Sequence, residues 1–384
     1  MQLTKSQLTK SITLPRPSLG RPTISRPSLP SFGSMTSFGG KKPAEITGLS
    51  IEGGSIALAQ PGGSGFLSGS AVRPLSPAFF HEGEVTDPQG LAAALKDLFG
   101  EVGASRRVRV GIANQRVVVR TLRLPAIEDA KQMEAAIRFQ AQEHIPMPLD
   151  QAVLQHQTVA AIPPTDGAGP QVDVVVVAAR RDMVMSFHEP LRRAGLEPAG
   201  IDLSAFAMIR ALSGEAVEAA DEAVLYCNVG DVLNLAVARG RTCLFTRVSG
   251  TGIEAITTRL ASERGMVPEH AEQWLLHVGL ERPVEEVEGD PEIVAATRQA
   301  IQSGTSALVE ELRLSLDYYR AQDNAVQVSG VVLCGVGSAI PGIGAALEAE
   351  LDLPISTARP SALASLDDAV AARLVLPLGL ALES

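Results

Sequence analysis

The clearest pattern of hydrophobic and polar positions lies in residues 130–159, AKQMEAAIRFQAQEHIPMPLDQAVLQHQTV. Ile137, Ala141 and Ile145 recur at helical spacing, and charged or amide side chains occupy the opposite side. The two prolines of IPMPLD must end this helix, because proline lacks an N–H donor and pushes the residue before it out of the helical region. The pattern predicts an amphipathic helix, a turn and then an extended strand.

The remaining patterns predict strands that alternate with helices. In the first half, strands are expected at Ile46–Leu58, Val108–Ala113, Val117–Leu124 and Val172–Ala179, and helices at Leu91–Val102, Met183–Ala194 and Ile201–Leu212. In the second half, strands are expected at Leu225–Leu235, Leu235–Arg239 and Thr242–Val248, and helices at Ile253–Gly265, Glu269–Leu276 and Thr297–Ala321. The run VVLCGVGSAIPGIGAAL has the pattern of a strand, a glycine turn and a helix. An α/β protein is therefore predicted.

Length and composition favour two or more packed subdomains. The chain has 384 residues, of which 45% are hydrophobic and only 4% aromatic, so the cores are expected to consist mainly of Ala, Val and Leu. No run has the length and apolar character of a membrane-spanning helix, and the lysines near the N-terminus are not followed by the apolar stretch of a secretory signal. A cytosolic protein is expected.

The N-terminal segment 1–44 differs in composition from the rest of the chain. It carries seven Lys or Arg and no acid, so the formal charge of −10 leaves −17 for the remaining residues. Thirteen Ser or Thr, six Pro and the repeated runs RPSL, RPTI and RPSL predict a disordered tail. Three interpretations stay open: a solvated tail without a specific function, transient attraction to anionic lipid, and phosphorylation of its serines.

Two classes of chemistry are not indicated. Cys227, Cys243 and Cys334 are widely separated and form no CxxC pair, so they are expected to be reduced and buried. The six histidines form no HExxH pattern, and no GxSxG motif is present. We expect neither a metal site nor a covalent hydrolase.

Several segments resemble the PilM family, actin-like proteins of type IV pilus assembly. The first similar segment is the amphipathic helix with the IPMPLD turn that follows it. Four more segments follow in the family's order: AVLYCNVGDVLNLAVARGRTCLFTRVSGTG, LVEELRLSLDYYRAQ, VVLCGVGSAIPGIGAALEAELDLPI and LVLPLGLALES. The resemblance covers roughly residues 46–384.

The resemblance implies an α/β, two-lobed actin-like (RNase H-like) fold with an inserted subdomain of the PilM/FtsA type. The first lobe would span residues 45–222, with the insertion at about 114–170, and the second lobe 223–384. On this division the apolar run Val172–Ala179 returns to the first lobe.

An actin-like cleft holds ATP with Mg²⁺ between two glycine turns, each of which normally begins with an aspartate. The matching turns here are GLSIEGGSIA and CNVGD, with Ser50 and Asn228 at the aspartate positions. The phosphate-binding candidates are Gly53, Gly54, Ser55, Gly230 and Gly252. Without the two aspartates, Mg²⁺-assisted hydrolysis is expected to be weak or absent, and no catalytic residue is assigned. The alternative is that Glu52 and Asp231 bind the metal from shifted positions.

The adenosine side of the cleft keeps more of the family pattern. Gly335, Gly337 and Ser338 lie where a base or ribose would approach the backbone. Glu310 and Arg313 match a Glu and a basic residue that contact ribose and base in actin-like relatives. An exposed intrahelical ion pair explains these two residues equally well.

The resemblance implies a cytoplasmic scaffold, peripheral at the inner membrane, in a pilus, secretion or competence machine. It would hold the N-terminal cytoplasmic peptide of an inner-membrane, PilN-like partner, with an assembly ATPase as a further partner and no nucleic acid. Candidate peptide-contacting residues are Ile137, Gln140, Ile145 and Met147, although core packing is the commoner fate of such apolar side chains. The alternatives are a working PilM-type ATPase and an FtsA-like cell-division protein, a group that ends in an amphipathic membrane helix.

Overall fold

The computed structural model describes residues 45–52, 54–81, 83–164, 169–213, 222–322 and 325–382. The predicted disordered tail 1–44 and Gly53 lie outside these ranges. The strands are β1 Thr47–Ile51, β2 Ser55–Pro61, β3 Leu67–Pro74, β4 Phe80–His81, β5 Glu84–Val85, β6 Arg107–Ile112, β7 Val118–Pro125, β8 Ala152–Ile162, β9 Gln171–Arg180, β10 Glu197–Leu203, β11 Ala223–Val229, β12 Leu233–Arg239, β13 Thr242–Ser249, β14 Val328–Cys334 and β15 Ile355–Thr357.

The described helices alternate with these strands. They are α1 Pro88–Val102, α2 Ala130–His144, α3 Arg181–Ser186, α4 His188–Arg193, α5 Ser204–Leu212, α6 Ile253–Arg264, α7 Pro268–Val278, α8 Pro291–Arg320, α9 Ile343–Leu351 and α10 Asp368–Ala381. Short 3₁₀ turns occur at Gly63–Gly65, Val284–Glu286, Val336–Ala339 and Ser361–Leu363. In the part of the chain that the structure describes, no helix is both long enough and apolar enough to cross a bilayer.

Two five-stranded sheets share one topology. The first has the order β10-β6-β1-β2-β3 and the second the order β13-β12-β11-β14-β15. In each sheet three strands form an antiparallel meander, and two further strands extend it in parallel from the first strand of that meander. We call the parts of the molecule built on these sheets the first and second lobes. One hydrophobic core lies within the second lobe, and the core of the first lobe also includes second-lobe side chains such as Tyr226 and Ala236.

The C-terminal helix α10 is a core element of the first lobe, and it packs against β1, β2 and α5. A Cβ on Gly48 of β1 would lie 1.8 Å from the Pro377 carbonyl oxygen, so only glycine allows this approach. Arg109 of β6 donates to the carbonyls of Leu380 and Leu382 at 3.0 and 2.8 Å. The LVLPLGLAL run is thereby fixed beneath the sheet.

A third sheet of order β7-β9-β8 carries the helix and turn that dominate the sequence pattern. Helix α2 begins at a cap in which the Asp129 carboxylate accepts the Gln132 N–H at 2.8 Å, and it ends before Pro146. Ile137, Ala141 and other apolar side chains of α2 form a small core with β7 and β9. We call α2 and this sheet the inserted subdomain.

The expectation that Val172–Ala179 returns to the first lobe is wrong. These residues belong to β9, which pairs antiparallel with both β7 and β8 as the central strand of the inserted subdomain. Val174, Val176 and Ala178 of β9 are buried in the core of the inserted subdomain, and Val175 and Ala179 in the core of the first lobe, so its apolar run is like that of a strand buried on both faces in a parallel sheet. The other domain boundaries stay predictions.

Three local predictions also need correction. The strand expected at Ile46–Leu58 is two strands, because the chain reverses at a turn in which the Glu52 N–H donates to the Ser55 carbonyl at 2.9 Å. The helix expected at Met183–Ala194 is broken into α3 and α4, because Pro190 has no N–H and clashes with a helical carbonyl four residues earlier. The helix expected from Ile201 begins at Ser204, because the preceding residues pair with β6.

Candidate functional site

The two glycine turns of the lobes contact each other directly. The first turn follows β1 and contains Glu52 and Gly54, and the second follows β11 and contains Gly230 and Asp231. The Gly54 N–H donates to the Asp231 carboxylate at 2.7 Å, and the Asp231 N–H faces the Glu52 carboxylate at 3.5 Å. The polar groups of each turn therefore face the other turn.

A side chain from α10 bridges the same junction. Arg373 Nη1 donates to the Ser55 hydroxyl at 2.9 Å, and Nη2 donates to the Glu272 carboxylate at 2.5 Å. Arg373 and Ser55 belong to the first lobe, whereas Glu272 lies on α7 of the second. We call Glu52, Gly54, Ser55, Asp231, Glu272 and Arg373 the interlobe network.

Burial changes the acidity of the two turn carboxylates. Burial, and after it the charge of Asp231, raises the pKa of Glu52 from 4.5 to about 7, with Arg373 acting in the opposite direction. Burial also raises the pKa of Asp231, although the bond from Gly54 and the charge of Arg373 favour its ionised form. Near neutral pH the pair therefore retains a proton for part of the time.

The residues at the two aspartate positions are buried and uncharged. Ser50, 5% exposed, lines a cavity of about 20 Å³ together with Glu52, Asp231 and Glu254. That volume holds about one water molecule. Asn228, 2% exposed, accepts a weak hydrogen bond from the Cys334 thiol at 3.6 Å. All three cysteines are buried, as predicted.

The candidate glycines of the second turn are packed against protein atoms. A Cβ on Gly252 would lie 2.1 Å from the Asp231 carbonyl oxygen, and a Cβ on Gly230 would lie 3.0 Å from either Glu52 carboxylate oxygen. Gly230 therefore allows the close approach of the first turn, whereas Gly252 allows the start of α6 to pack against the second turn itself. The predicted role in phosphate binding is neither confirmed nor contradicted, and Gly53 lies outside the described residues.

The candidate adenosine residues lie on two separate elements. Gly335 has φ +79°, and a Cβ there would lie 2.4 Å from the Asn228 side-chain oxygen, so this turn also requires glycine. The Ser338 hydroxyl donates to the Gly335 carbonyl at 2.7 Å, and a Cβ on Gly337 would overlap Val229. Asn228 and Val229 of the neighbouring strand β11 therefore leave no space for a side chain at Gly335 or Gly337.

Glu310 and Arg313 are both exposed on α8. Arg313 bonds to the carbonyl and carboxylate of Glu350 on α9, with the carboxylate at 3.2 Å. The sequence pattern suggested an intrahelical pair with Glu310, and the observed partner instead comes from a neighbouring helix. Neither arrangement tests contact with adenosine.

A triphosphate with Mg²⁺ fits this junction poorly. The Gly54 N–H, which a phosphate oxygen would require, is already bonded to a carboxylate, and a second carboxylate lies beside it. Like charges at such short distances repel strongly. Among the described residues, no group of three or more His, Cys, Asp or Glu side chains has the geometry of a metal site.

A second candidate site is an open groove where the inserted subdomain joins the first lobe. Its cavity of about 380 Å³ is lined by Gln115, Arg116, Val118, Pro146, Met147, Pro148, Gln151 and Arg180. Two arginines are part of this lining: Arg116 pairs with Glu84 at 2.5 Å, and Arg180 pairs with Asp182. The lining therefore combines apolar side chains with two arginines and two glutamines.

The four predicted peptide-contacting residues are placed differently from one another. Met147 lines the groove. Ile137 and Ile145, 1% and 5% exposed, belong to the core of the inserted subdomain, and Gln140 is half-buried on α2. The sequence analysis did not identify Arg116, Arg180, Glu272 or Arg373, because nothing near each residue along the chain signals its role.

Comparison with known proteins identifies a family match and several solved structures of the same fold. The family model described as type IV pilus assembly protein PilM matches residues 55–383. A structure titled PilM-PilN type IV pilus biogenesis complex superposes with a TM-score of 0.73 at 27% identity, covering 88% of this chain and 98% of that chain.

Two more distant structures share the fold. Ethanolamine utilization protein EutJ from Carboxydothermus hydrogenoformans superposes with a TM-score of 0.51 at 15% identity, covering 89% of this chain and 90% of its own. MreB 5 of Spiroplasma citri bound to AMPPNP superposes with a TM-score of 0.50 at 12% identity, covering 88% and 95%. The predicted two-lobed, actin-like α/β fold is confirmed.

Proposed function

The chain belongs to the PilM family of type IV pilus assembly proteins, and we propose that it is a cytoplasmic scaffold that holds a short peptide of an inner-membrane, PilN-like partner. Its similarity to a structure titled as a PilM-PilN complex supports a partner of that kind. The observation that carries the proposal is the groove at the IPMPLD turn, which is open and lined by both apolar and basic side chains. Peripheral association with the inner membrane would follow from the partner, and an assembly ATPase remains a proposed further partner.

The groove has the chemistry expected for an extended peptide. Met147, Val118 and the exposed rings of Pro146 and Pro148 offer an apolar floor for one or two side chains. Prolines keep this floor rigid, so little conformational entropy is lost when a ligand binds. Arg116 and Arg180 at the flanks can donate to peptide carbonyls or acidic side chains. Ile137 and Ile145 would support the groove indirectly, because they hold α2 against the sheet.

We also propose that the nucleotide cleft is degenerate, with weak or absent ATP and Mg²⁺ binding. The supporting observations are the uncharged Ser50 and Asn228 and the carboxylates of Glu52 and Asp231 at the junction of the turns. Where ionised, these carboxylates oppose the approach of an anion. The glycines named above would then serve turn packing.

Titration with a synthetic N-terminal cytoplasmic peptide of a PilN-like protein from the same organism tests the scaffold proposal. We expect the peptide to bind wild type and Met266→Ala alike, and Met147→Ala to weaken binding about tenfold, which corresponds to about 1.4 kcal/mol. Met266 is the control because it is a methionine that packs against the core of the second lobe and does not line the groove. Equal affinity of all three proteins would exclude this groove as the peptide site.

Charge-reversal variants test whether the basic side chains of the groove contribute to peptide binding in addition to its apolar side chains. Arg180→Glu should weaken peptide binding, whereas Arg193→Glu should not, since Arg193 forms an exposed pair with Glu189 on α4 and does not line the groove. Loss of affinity in both variants to the same extent would indicate a general electrostatic effect. Calorimetry at two salt concentrations measures this difference.

The second candidate function is a working ATPase, and its supporting observation is the actin-like fold shared with a protein solved with AMPPNP. ATP titration with Mg²⁺ by calorimetry and a phosphate-release assay distinguish it from the scaffold. Micromolar binding with turnover would establish the enzyme and end the degenerate-cleft proposal. The FtsA-like alternative receives no support from α10, whose apolar residues pack inside the first lobe.

A further inference from the structure

We propose that the interlobe network is a built-in latch that closes the two lobes without a nucleotide. The Asp231 carboxylate takes the place of a phosphate oxygen at the Gly54 amide. The Arg373 guanidinium takes the place of the accompanying cation. This goes beyond the loss of nucleotide binding, because it assigns the conformational role of the nucleotide to side chains of the chain itself.

The first step is that every bond of the latch joins elements of different lobes or supports one that does. Gly54 of the first lobe donates to Asp231 of the second, and Arg373 of the first donates to Glu272 of the second. The Ser55 hydroxyl holds Arg373 in place from the same lobe. Separating the two turns therefore requires the loss of both cross-lobe contacts.

The second step is the charge balance. Four carboxylates face the junction: Glu52 and Asp231 from the turns, Glu272 from α7 and Glu254 from the start of α6. Arg373 supplies one positive charge, and His81 lies 3.9 Å from Glu254 and adds another only when it is protonated. Cys334 is buried behind Asn228 as a neutral thiol, because burial raises its pKa well above the usual value. The closed state therefore favours uptake of a proton.

The third step is the direction of the pH dependence. Burial in the closed structure raises the pKa of Glu52 from 4.5 to about 7, so between these values the closed state binds more protons than a state in which water surrounds Glu52. Closure is then strongest below about pH 5 and weakens as pH rises through about 7. If Glu52 titrates at 4.5 when the cleft is open, the closed-to-open ratio falls roughly tenfold between about pH 6 and pH 9.

Distance measurement between spin labels on the two lobes tests the latch in the absence of nucleotide and peptide. Lys96→Cys on α1 and Gln302→Cys on α8 provide exposed labelling positions, and the native cysteines are buried. We expect a narrow distance distribution at about pH 6 that becomes broader and longer at about pH 9. Glu52→Gln, which imitates the protonated carboxyl, should remain narrow at both pH values.

Removal of the cation gives a second, independent measurement. Arg373→Met in the labelled protein should broaden the distribution at the lower pH, whereas Arg259→Met, which removes an exposed helical pair with Glu263, should not. If circular dichroism shows that Arg373→Met is unfolded, the distance distributions of the wild type and Glu52→Gln still test the latch. A wild-type distribution that does not change with pH, or a Glu52→Gln distribution that changes as the wild type does, would overturn the proposal. Neither result depends on whether the groove binds a peptide.

Discussion

The interlobe junction and the groove of the inserted subdomain are two concave regions that use their polar groups in opposite ways. At the junction, Gly54, Asp231, Arg373 and Glu272 bond to one another across the lobes. In the groove, Arg116 and Arg180 pair only with exposed or half-exposed acids at the rim, and the apolar floor stays open. The polar groups of the junction are bonded across the lobes, whereas the groove remains open.

This difference shows how a scaffold can arise on an actin-like frame. The two lobes share a strand order, and the cleft between them is the region where they meet. If bonds between the two turns fix the lobes as proposed, lobe position no longer requires a ligand. Recognition is then expected at the element that the repeated lobes do not share, which here is the inserted subdomain.

The largest expected effect is the loss of the junction cation. Arg373→Met leaves Glu272, Asp231 and Glu52 without their positive partner, and loss of one member of a buried ion pair costs about 3–5 kcal/mol. Arg373 is 13% exposed, so a value near the lower end, about 3 kcal/mol, is expected in urea unfolding. Arg259→Met, from an exposed pair, should change stability by less than about 1 kcal/mol. Similar small losses in both variants would show that the junction contributes little to stability.

The next effect separates core residues from groove residues within the inserted subdomain. Ile137→Ala removes a fully buried side chain and should destabilise the subdomain by about 3 kcal/mol. Met147→Ala removes a half-buried side chain at the groove and should cost less than about 1 kcal/mol while it weakens peptide binding. Hydrogen exchange of β9 and peptide titration measure the two effects separately. A Met147→Ala protein that unfolds as readily as Ile137→Ala would assign Met147 to the core.

The same two residues show how far the sequence could predict the site. The helix, its end at the prolines and the turn depend on residues within a few positions of one another, so local pattern predicts them. The periodicity of α2 cannot distinguish Ile137, which packs inward, from a residue that contacts a ligand. That distinction depends on which strand covers the helix, and the position of β9 was predicted wrongly because its apolar run suits either sheet.

The junction was predictable only in part, for a related reason. The glycine turns and the replaced aspartates are local signals, and both were visible in GLSIEGGSIA and CNVGD. Arg373 and Ser55 are 318 positions apart, and Glu272 lies 101 positions before Arg373. A single sequence holds no signal that links such positions. The ligand-like contacts between the turns therefore emerge only in the folded chain.

A smaller effect is expected from the proton of the junction. Stability contributed by the protonated Glu52 is present below about pH 4.5 and is lost as pH rises through about 7, because burial raises the pKa of this carboxyl in the folded state. Glu52→Gln removes this dependence and should stabilise the protein at about pH 8 by about 2 kcal/mol, as Glu52 is partly exposed. Thermal unfolding across pH measures it. If Glu52→Gln is less stable than wild type at that pH, the ionised carboxylate of Glu52 stabilises the folded protein.

The smallest effect concerns the adenosine side of the cleft. Arg313 is exposed and bonds to Glu350, so Arg313→Ala should change stability by less than about 1 kcal/mol. If the cleft is degenerate, the variant should also show the same weak or undetectable ATP binding as wild type, measured by calorimetry with Mg²⁺. A clear fall in ATP affinity in Arg313→Ala, with Arg320→Ala on the same helix unchanged, would show that α8 still contacts a nucleotide. The junction would then be a latch that a ligand can open, and the contrast between a filled cleft and an open groove would no longer hold.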